Sequence, residues 1–290
     1  MANLRAIRKR IGSVKSTQQI TKAMKMVSAA KLKRSQDAIV AARPYARKMQ
    51  EVVQAVAGRA GKDAHPLLSS RETKKVALLV ITSDRGLCGG FNSTLLRAAN
   101  RFLRENGREY GDIVLFVVGR KARDFFRRRQ VPMRKEYVNV LGTLSYGHAE
   151  QMANDLVGGF LAEEFEEVVV AFNEFRSAIS QVVRMEKLFP VAVEQAGENA
   201  AADGIDYLYE PSQQEILATL LPKFVESQIF RVLLESVAGE HGARMTAMDS
   251  ATSNAVEMIS RLTLQMNRAR QAAITKELME IIGGAEALKG

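Results

Sequence analysis

A glycine-rich turn, Ser83-Asp-Arg-Gly-Leu-Cys-Gly-Gly90, is the segment of this chain whose residue types could most readily do chemistry. It follows an apolar run, Lys75 to Thr82, and precedes a stretch with helical periodicity, Asn92 to Glu105. A phosphate-binding loop has this position in a nucleotide-binding enzyme. The turn matches neither G-x-x-x-x-G-K-[ST] nor G-x-G-x-x-G, however, and a tight connection from strand to helix explains its glycines. We therefore predict a structural turn, with a nucleotide site as the lesser alternative.

The other reactive side chains form no recognisable constellation. The three histidines are scattered without ligand spacing, at His65, His148 and His241. Four acidic residues, Glu163, Glu164, Glu166 and Glu167, are most simply the solvated end of a helix. Cys88 is the only cysteine, which excludes an internal disulfide and a thiolate cluster and fits a reducing compartment. No G-x-S-x-G nucleophile motif occurs. We predict a non-enzyme without metal or cofactor.

Long amphipathic helices are predicted at the two ends of the chain, from Leu4 to Ala57 and from Ser212 to Ile282. Apolar residues at alternating spacings of three and four mark one stripe on each helix: Leu4, Ile7, Ile11 and Val14, then Ile259, Leu262, Met266, Ala269 and Ala273. Stripes of this length need to be buried, and an antiparallel coiled coil buries both. We expect the first stripe to continue through Met24 and Val27. Four residues inside these helices predict kinks or breaks, namely Pro44, Pro222, Gly239 and Gly242.

Between the helices, buried strands alternate with short helices, which predicts a small and largely parallel sheet. The predicted fold class is therefore α/β: a long antiparallel coiled coil of the N- and C-terminal helices plus a small Rossmann-like domain. We divide the chain into an N-terminal shaft helix at 1–60, an α/β domain at 74–195 and a C-terminal shaft helix at 212–288. No apolar run approaches the roughly 20 residues that a membrane-spanning helix needs.

Positive charge is concentrated at the N-terminus. Residues 1–60 hold 14 Lys and Arg against Asp37 and Glu51 alone, a net charge of +12, whereas the whole chain carries +10. The basic character is thus assigned to one helix, which could be a solvated face or could bind an acidic protein surface, nucleic acid or an anionic membrane. The first aromatic residue is Tyr45, so the most basic part has no ring on which a base could stack. This argues against nucleic acid.

Several blocks resemble the gamma subunit of F-type ATP synthases. The clearest is the C-terminal Ile274-Thr-Lys-Glu-Leu-Met-Glu-Ile-Ile-Gly-Gly-Ala-Glu-Ala287. Four further blocks agree in order along the chain: Thr17 to Val27, Ser83 to Gly90, Tyr207-Leu-Tyr-Glu-Pro211 and Ala243-Arg-Met-Thr-Ala-Met248. The resemblance begins at about Asn3, without a transit peptide, and lacks the two-cysteine insertion of chloroplast members. It therefore points to a bacterial gamma chain.

The resemblance implies a non-catalytic rotor shaft that couples proton-driven rotation of the c ring to ATP synthesis or hydrolysis at the beta subunits. The implied partners are the alpha, beta and epsilon subunits and the c ring, with no nucleic acid and no cofactor. The implied location is peripheral, on the cytoplasmic face of the bacterial inner membrane. Residues that match shaft contacts to beta are Met24 and Lys25, with Arg270, Gln271, Thr275 and Glu277 expected opposite them. Tyr207 and Glu210 match the foot on the c ring.

Two other function classes remain open from the residues alone. A basic coiled-coil protein that binds nucleic acid or a membrane surface would share the charged N-terminal helix. A nucleotide-binding α/β enzyme would share the glycine-rich turn.

Overall fold

In the computed structural model, residues 4–61, 64–73, 75–106, 112–192 and 212–287 are described. The chain forms two compact units. The first comprises Met1–Ser28 with Met245–Gly290, and the second comprises Ala29–Arg244. The predicted division into segments 1–60, 74–195 and 212–288 stays a prediction.

Helix α1 (Leu4–Ala60) and helix α5 (Gln213–Ala287) supply the whole of the described first unit. Ile7 and Ile11 are buried against Leu262, and the predicted residues Val14, Ile259, Met266 and Ala269 pack around them. Side chains also meet at Thr21 with Thr252 and at Lys25 with Asp249. Because a later residue on α1 meets an earlier residue on α5, the two helices are antiparallel. The predicted antiparallel coiled coil is confirmed.

The stripe on α1 takes a different course from the one predicted. Val27 is 56% exposed, so the expected continuation through Val27 is wrong, and Met24 is only partly buried. The rhythm of three and four instead continues from Val14 through polar residues: Gln18, Thr21, Lys25 and Ser28. The prediction was wrong because it selected apolar residues. In the structure, the buried face follows a period of 3.5 residues, which keeps the same face of α1 against its partner helix whether the residues are apolar or polar.

The second unit is built on a five-stranded sheet in the order β3-β2-β1-β4-β5. The strands are β1 Lys75–Ile81, β2 Asp112–Val118, β3 Lys135–Tyr137, β4 Glu167–Phe175 and β5 Gln181–Phe189. The pairs β1–β2, β1–β4 and β2–β3 are parallel, and only β5 runs antiparallel, beside β4. In the register, Leu78 lies between Leu115 and Val169. The predicted largely parallel sheet is confirmed.

Both faces of the sheet are covered by helices. Helices α2 (Phe91–Asn106) and α3 (Arg120–Arg127) pack on the face that carries Val76, Leu78 and Val80. Helix α4 (Tyr146–Leu161), with parts of α1 and α5, packs on the opposite face, which carries Ala77 and Leu79. Successive side chains of a strand point to opposite faces, so a strand that is buried on both sides is apolar throughout. This explains the continuous apolar run of β1.

Helix α5 is continuous through Pro222, Gly239 and Gly242, and α1 is continuous through Pro44. The predicted breaks are therefore wrong, whereas a kink at these residues stays a prediction. The two glycines serve packing instead. A Cβ at Gly239 would lie 3.1 Å from Cε2 of Phe91, and a Cβ at Gly242 would lie 3.2 Å from the Cα and backbone oxygen of Ala178. Glycine allows α5 to approach these groups closely, at a cost of roughly 1 kcal/mol each in helix propensity.

No described helix is long and apolar enough to cross a membrane.

Candidate functional site: the helix pair and the glycine-rich turn

The centre of the helix pair in the first unit is polar. The hydroxyls of Thr21 and Thr252 lie 2.8 Å apart, and Nζ of Lys25 lies 2.6 Å from Oδ1 of Asp249. Each hydroxyl oxygen also lies within hydrogen-bond distance of a carbonyl of its own helix, that of Gln18 at 3.0 Å and that of Met248 at 2.7 Å. Because each hydroxyl has one hydrogen, one threonine donates across the pair and the other donates to its own helix. Polar residues in the seam of a coiled coil select one register, since any slip would leave them without partners. The pair is thus held in a defined alignment along its length.

That alignment separates the residues predicted to face one another. Met24 and Lys25 lie at the level of Asp249, whereas Arg270 is 21 residues farther along α5, about 30 Å at 1.5 Å per residue. The expectation that Arg270, Gln271, Thr275 and Glu277 lie opposite Met24 and Lys25 is therefore wrong. The same alignment places Leu4, the first described residue of α1, near Ala269. The contact of these residues with the beta subunits stays a prediction.

All four of the distal residues are exposed, and exposed apolar side chains surround them. Arg270, Gln271, Thr275 and Glu277 point to solvent in this chain. The same end of α5 exposes five large apolar residues: Ile274, Leu278, Met279, Ile281 and Ile282. Exposed apolar side chains grouped at one end of a helix mark a surface that a partner covers. Tyr207 and Glu210, the predicted foot residues, lie outside the described residues.

The glycine-rich turn of the second unit is tied together by its own polar side chains. The amide of Ser83 donates to Oδ1 of Asn92 at 2.9 Å, and the Ser83 hydroxyl donates to the carbonyl of Arg85 at 2.6 Å. Oδ1 of Asp84 accepts from the amides of Arg120 and Asn139 at 3.0 and 2.9 Å. These hydrogen bonds join the turn to neighbouring segments of the same unit and hold its conformation.

The turn lies where sheets of this type bind ligands, and here α5 fills that place. Strand order reverses between β1 and β4, and the crevice at the carboxyl ends of such strands is the usual ligand site. In this chain, Nη2 of Arg244 donates to the carbonyl of Gly86 at 3.1 Å and to Oε1 of Glu240 at 2.6 Å. Both charged side chains are only 10% exposed. The prediction of a structural turn fits this arrangement, because the buried Arg244 of α5 donates a hydrogen bond to a carbonyl group of the turn.

Burial dominates the electrostatics of this region. Desolvation raises the pKa of Glu240, although Arg244 beside it acts in the opposite direction. His241 has its pKa lowered to about 4, first by burial and then by the charges of Arg244 and Lys31. Burial also raises the pKa of Cys88, which disfavours the reactive thiolate. Among the described residues, no group of three or more His, Cys, Asp or Glu could hold a metal ion.

Sequence reasoning missed the pair of Glu240 and Arg244. Its signal was available, since a glutamate and an arginine four residues apart lie inside an otherwise apolar helical stretch beside Gly239 and Gly242. Charges at i and i+4 can pair on a helix, and neighbouring glycines indicate close approach of another segment.

Comparison with known proteins identifies the family. A protein-family model described as ATP synthase matches residues 3–288. The ATP synthase gamma chain of Trichlorobacter lovleyi is 55% identical over 292 residues, covering all of both chains. The ATP synthase gamma chain of Geobacter metallireducens is also 55% identical, over 290 residues and all of both chains. The chain belongs to the ATP synthase gamma chain family. The alternative of a basic coiled-coil protein for nucleic acid or membrane surfaces finds no support among these relatives.

Solved structures agree in fold. The central stalk and c-ring structure of the Tetrahymena thermophila mitochondrial ATP synthase contains a chain with a TM-score of 0.62 and 28% identity. The match covers 80% of this chain and 99% of that one. A chain in the Euglena gracilis mitochondrial ATP synthase, in rotational state 3, has a TM-score of 0.71 at 20% identity, covering 98% and 94% of the two chains. The resemblance inferred from the C-terminal block is confirmed over nearly the whole length.

Proposed function

We propose that this chain is the central rotor shaft of a proton-transporting ATP synthase. It couples rotation of the c ring to ATP synthesis or hydrolysis at the beta subunits, and it has no catalytic role of its own. Its partners are the alpha, beta and epsilon subunits and the c ring. The complex lies at the cytoplasmic face of the bacterial inner membrane, where this chain is peripheral. The observation that carries the proposal is the antiparallel helix pair, in a member of the gamma chain family whose similarity to the relatives named above covers the whole of their length.

A shaft needs to transmit work, and a comparison of the free energy per ATP with the free energy of one surface contact indicates how it does so. Each proton that crosses the membrane is worth about 2.3 kcal/mol per 100 mV, so several protons supply on the order of 10 kcal/mol per ATP. One exposed ion pair contributes roughly 0.2 to 1 kcal/mol. No single contact of an exposed residue such as Arg270 can carry this load. We infer that the bulk and shape of the helix pair push the beta subunits, while Met24, Lys25, Arg270, Gln271, Thr275 and Glu277 adjust the strength of contact.

The charge of α1 and the apolar end of α5 suit different parts of this task. The net charge of +12 in residues 1–60 favours acidic loops of beta, because opposite charges attract at the surface without a fixed geometry. Ile281 and Ile282, by contrast, are apolar and exposed. Apolar contact is non-directional, so it suits a surface on which the shaft turns. Tyr207 and Glu210 are proposed to hold the c ring.

The decisive experiment is rotation in a reconstituted complex. The chain is assembled with alpha and beta subunits, a bead is attached to the α/β unit, and ATP is added. We expect continuous rotation of the bead in one direction and recovery of the chain at one copy per complex. Hydrolysis by a complete complex in which the chain never turns would refute the proposed role.

The foot is tested separately in membrane vesicles that contain the whole ATP synthase. We expect Glu210→Lys to reduce the number of protons pumped per ATP hydrolysed while hydrolysis itself continues. A charge reversal weakens attachment to the ring but leaves the distant catalytic sites intact. An unchanged pumping ratio in a fully assembled complex would remove Glu210 from the proposed foot.

A further inference from the structure

A second basic surface lies on the second unit, on helices α2 and α3. Segments 91–106 and 120–129, which contain α2 and α3, hold nine Lys and Arg against Glu105 and Asp124. Their net charge of +7 leaves −9 for the other residues after position 60, because residues 61–290 sum to −2. The sequence-based assignment of the basic character to α1 alone is therefore wrong. We name this surface the α2–α3 basic face.

Most of these charges form no ion pair with a carboxylate of the described residues. Seven side chains have no carboxylate of the described residues within ion-pair distance: Arg97, Arg101, Arg104, Arg120, Lys121, Arg128 and Arg129. The exceptions are Arg123, which pairs with Asp124, and Arg127, which pairs with Glu136. Among the seven, Arg97 and Arg129 donate only to backbone carbonyls of their own segment. The face thus presents unneutralised positive charge.

Several of these charges are placed where they work against local stability, although Arg104 and Arg127 in the last turns suit the helix dipole. Arg97, Arg101 and Arg104 follow one another at spacings of four and three along α2, where like charges repel. Arg120 and Lys121 occupy the first turn of α3, whose dipole favours negative charge. The Asp84 carboxylate, which accepts from the Arg120 amide, offsets part of this effect, but neither helix has an acidic residue of its own in its first turn. When several charged residues on one surface each destabilise their own helix, the surface is expected to bind a partner.

The fold leaves this surface open among the described elements. Helices α2 and α3 pack inward on one face of the sheet through Leu95, Ala99, Ala122 and Phe126. Helices α1, α4 and α5 cover the opposite face of the sheet. The arginines Arg97, Arg101 and Arg128 are exposed on the outer side of the α2–α3 layer. A broad array of cations therefore faces outward.

The chemistry of the face favours phosphate groups at a membrane surface over nucleic acid. Eight of its nine cations are arginines, whose planar fork matches phosphate oxygens. Phe125 is only partly buried, but the guanidinium of Arg129 covers its ring, 3.6 Å from the centroid, so that side is closed to a stacking base. Clusters of four to eight basic residues are typical of surfaces that bind anionic lipid.

We propose that the α2–α3 basic face binds the phosphate headgroups of anionic phospholipids. The choice of a membrane rests on the proposed function, which places this chain in a complex at the cytoplasmic face of a membrane. No large hydrophobic residue of α2 or α3 is strongly exposed, so the contact is made by charge without insertion into the lipid. Such contact is salt-sensitive and does not fix the chain at one point, because headgroups diffuse laterally.

The test uses the purified full-length chain and vesicles of two compositions. One consists of phosphatidylcholine alone, and the other contains 30% phosphatidylglycerol. Binding is measured by co-sedimentation at 50 and 300 mM salt. The variant is Arg97→Gln/Arg101→Gln/Arg104→Gln. The matched control, Arg8→Gln/Lys9→Gln/Arg10→Gln, removes the same charge from exposed positions on α1. Circular dichroism verifies that both variants are folded.

We expect binding only to the vesicles with phosphatidylglycerol, and loss of that binding at high salt. The α2 variant should bind on the order of 100-fold more weakly, and the α1 control less than tenfold more weakly. Equal losses in the two variants would overturn the proposal, because α1 would then account for the attraction. Tighter binding of the unchanged chain to a short DNA duplex, lost in the α2 variant, would assign the face to nucleic acid instead. Vesicle binding does not require an assembled ATP synthase. The lipid proposal can therefore fail while the rotation experiment succeeds, and it can succeed while the rotation experiment fails.

Discussion

The buried ion pair of Glu240 and Arg244 gives a prediction whose size can be worked out from the structure. Replacing Arg244 by methionine keeps a long apolar side chain but removes the charge and the donors to Glu240 and to the carbonyl of Gly86. Both charged side chains are 10% exposed, so Glu240 would be left as a buried and uncompensated carboxylate. Breaking a buried pair in this way costs about 3–5 kcal/mol. That is a large part of the 5–15 kcal/mol typical of a folded protein.

The chain offers a matched control. Glu257 and Arg261 have the same residue types in the same order and spacing on α5, and they also form an ion pair, but their side chains are 61% and 78% exposed. Arg261→Met should therefore cost no more than about 1 kcal/mol. The assay is urea unfolding followed by circular dichroism at pH 7.5. The double variant Glu240→Gln/Arg244→Met should recover part of the loss, since it buries no charge.

The pH dependence gives an independent check. Burial already raises the pKa of Glu240, and removal of Arg244 takes away the charge that lowers it. A carboxyl whose pKa is raised in the folded state stabilises the fold while it is protonated, below its ordinary pKa, and loses that contribution as pH rises through the raised value. The cost of Arg244→Met should therefore be larger at pH 7.5 than at pH 5. Equal costs for Arg244→Met and Arg261→Met at pH 7.5 would refute the stabilising role assigned to the buried pair of Glu240 and Arg244.

Two further predictions concern the helix pair. In a Cys88→Ser background, Thr21→Cys/Thr252→Cys should form a disulfide under mild oxidation, because the two hydroxyls are 2.8 Å apart, whereas Thr17→Cys/Thr252→Cys, displaced by about one helical turn, should crosslink much more slowly. Equal rates, read on non-reducing gels, would contradict the register. Arg270→Ala should slow ATP-driven rotation of the assembled complex without stopping it, because one exposed contact supplies roughly 1 kcal/mol or less. Complete arrest would contradict distributed contact.

Local patterns in the sequence were sufficient to predict the elements. The rhythm of Ile7, Ile11 and Val14 depends on residues within one or two turns of each other, so it indicates an amphipathic helix without knowledge of its partner. The apolar run from Val76 to Ile81 likewise predicts a strand buried on both faces. The C-terminal block identified the family because its residues lie close together in sequence.

Tertiary structure decided the alignment and the roles of particular residues. Thr21 meets Thr252, and Lys25 meets Asp249, across more than 220 positions of sequence. A periodic stripe shows which face is buried, but many registers bury apolar area almost equally, and the polar contacts that select one exist only after folding. Gly242 was predicted to kink or break the helix because helix propensity is local. It remains in α5, where a Cβ would lie 3.2 Å from the backbone of Ala178, so close packing favours glycine despite a propensity cost of about 1 kcal/mol.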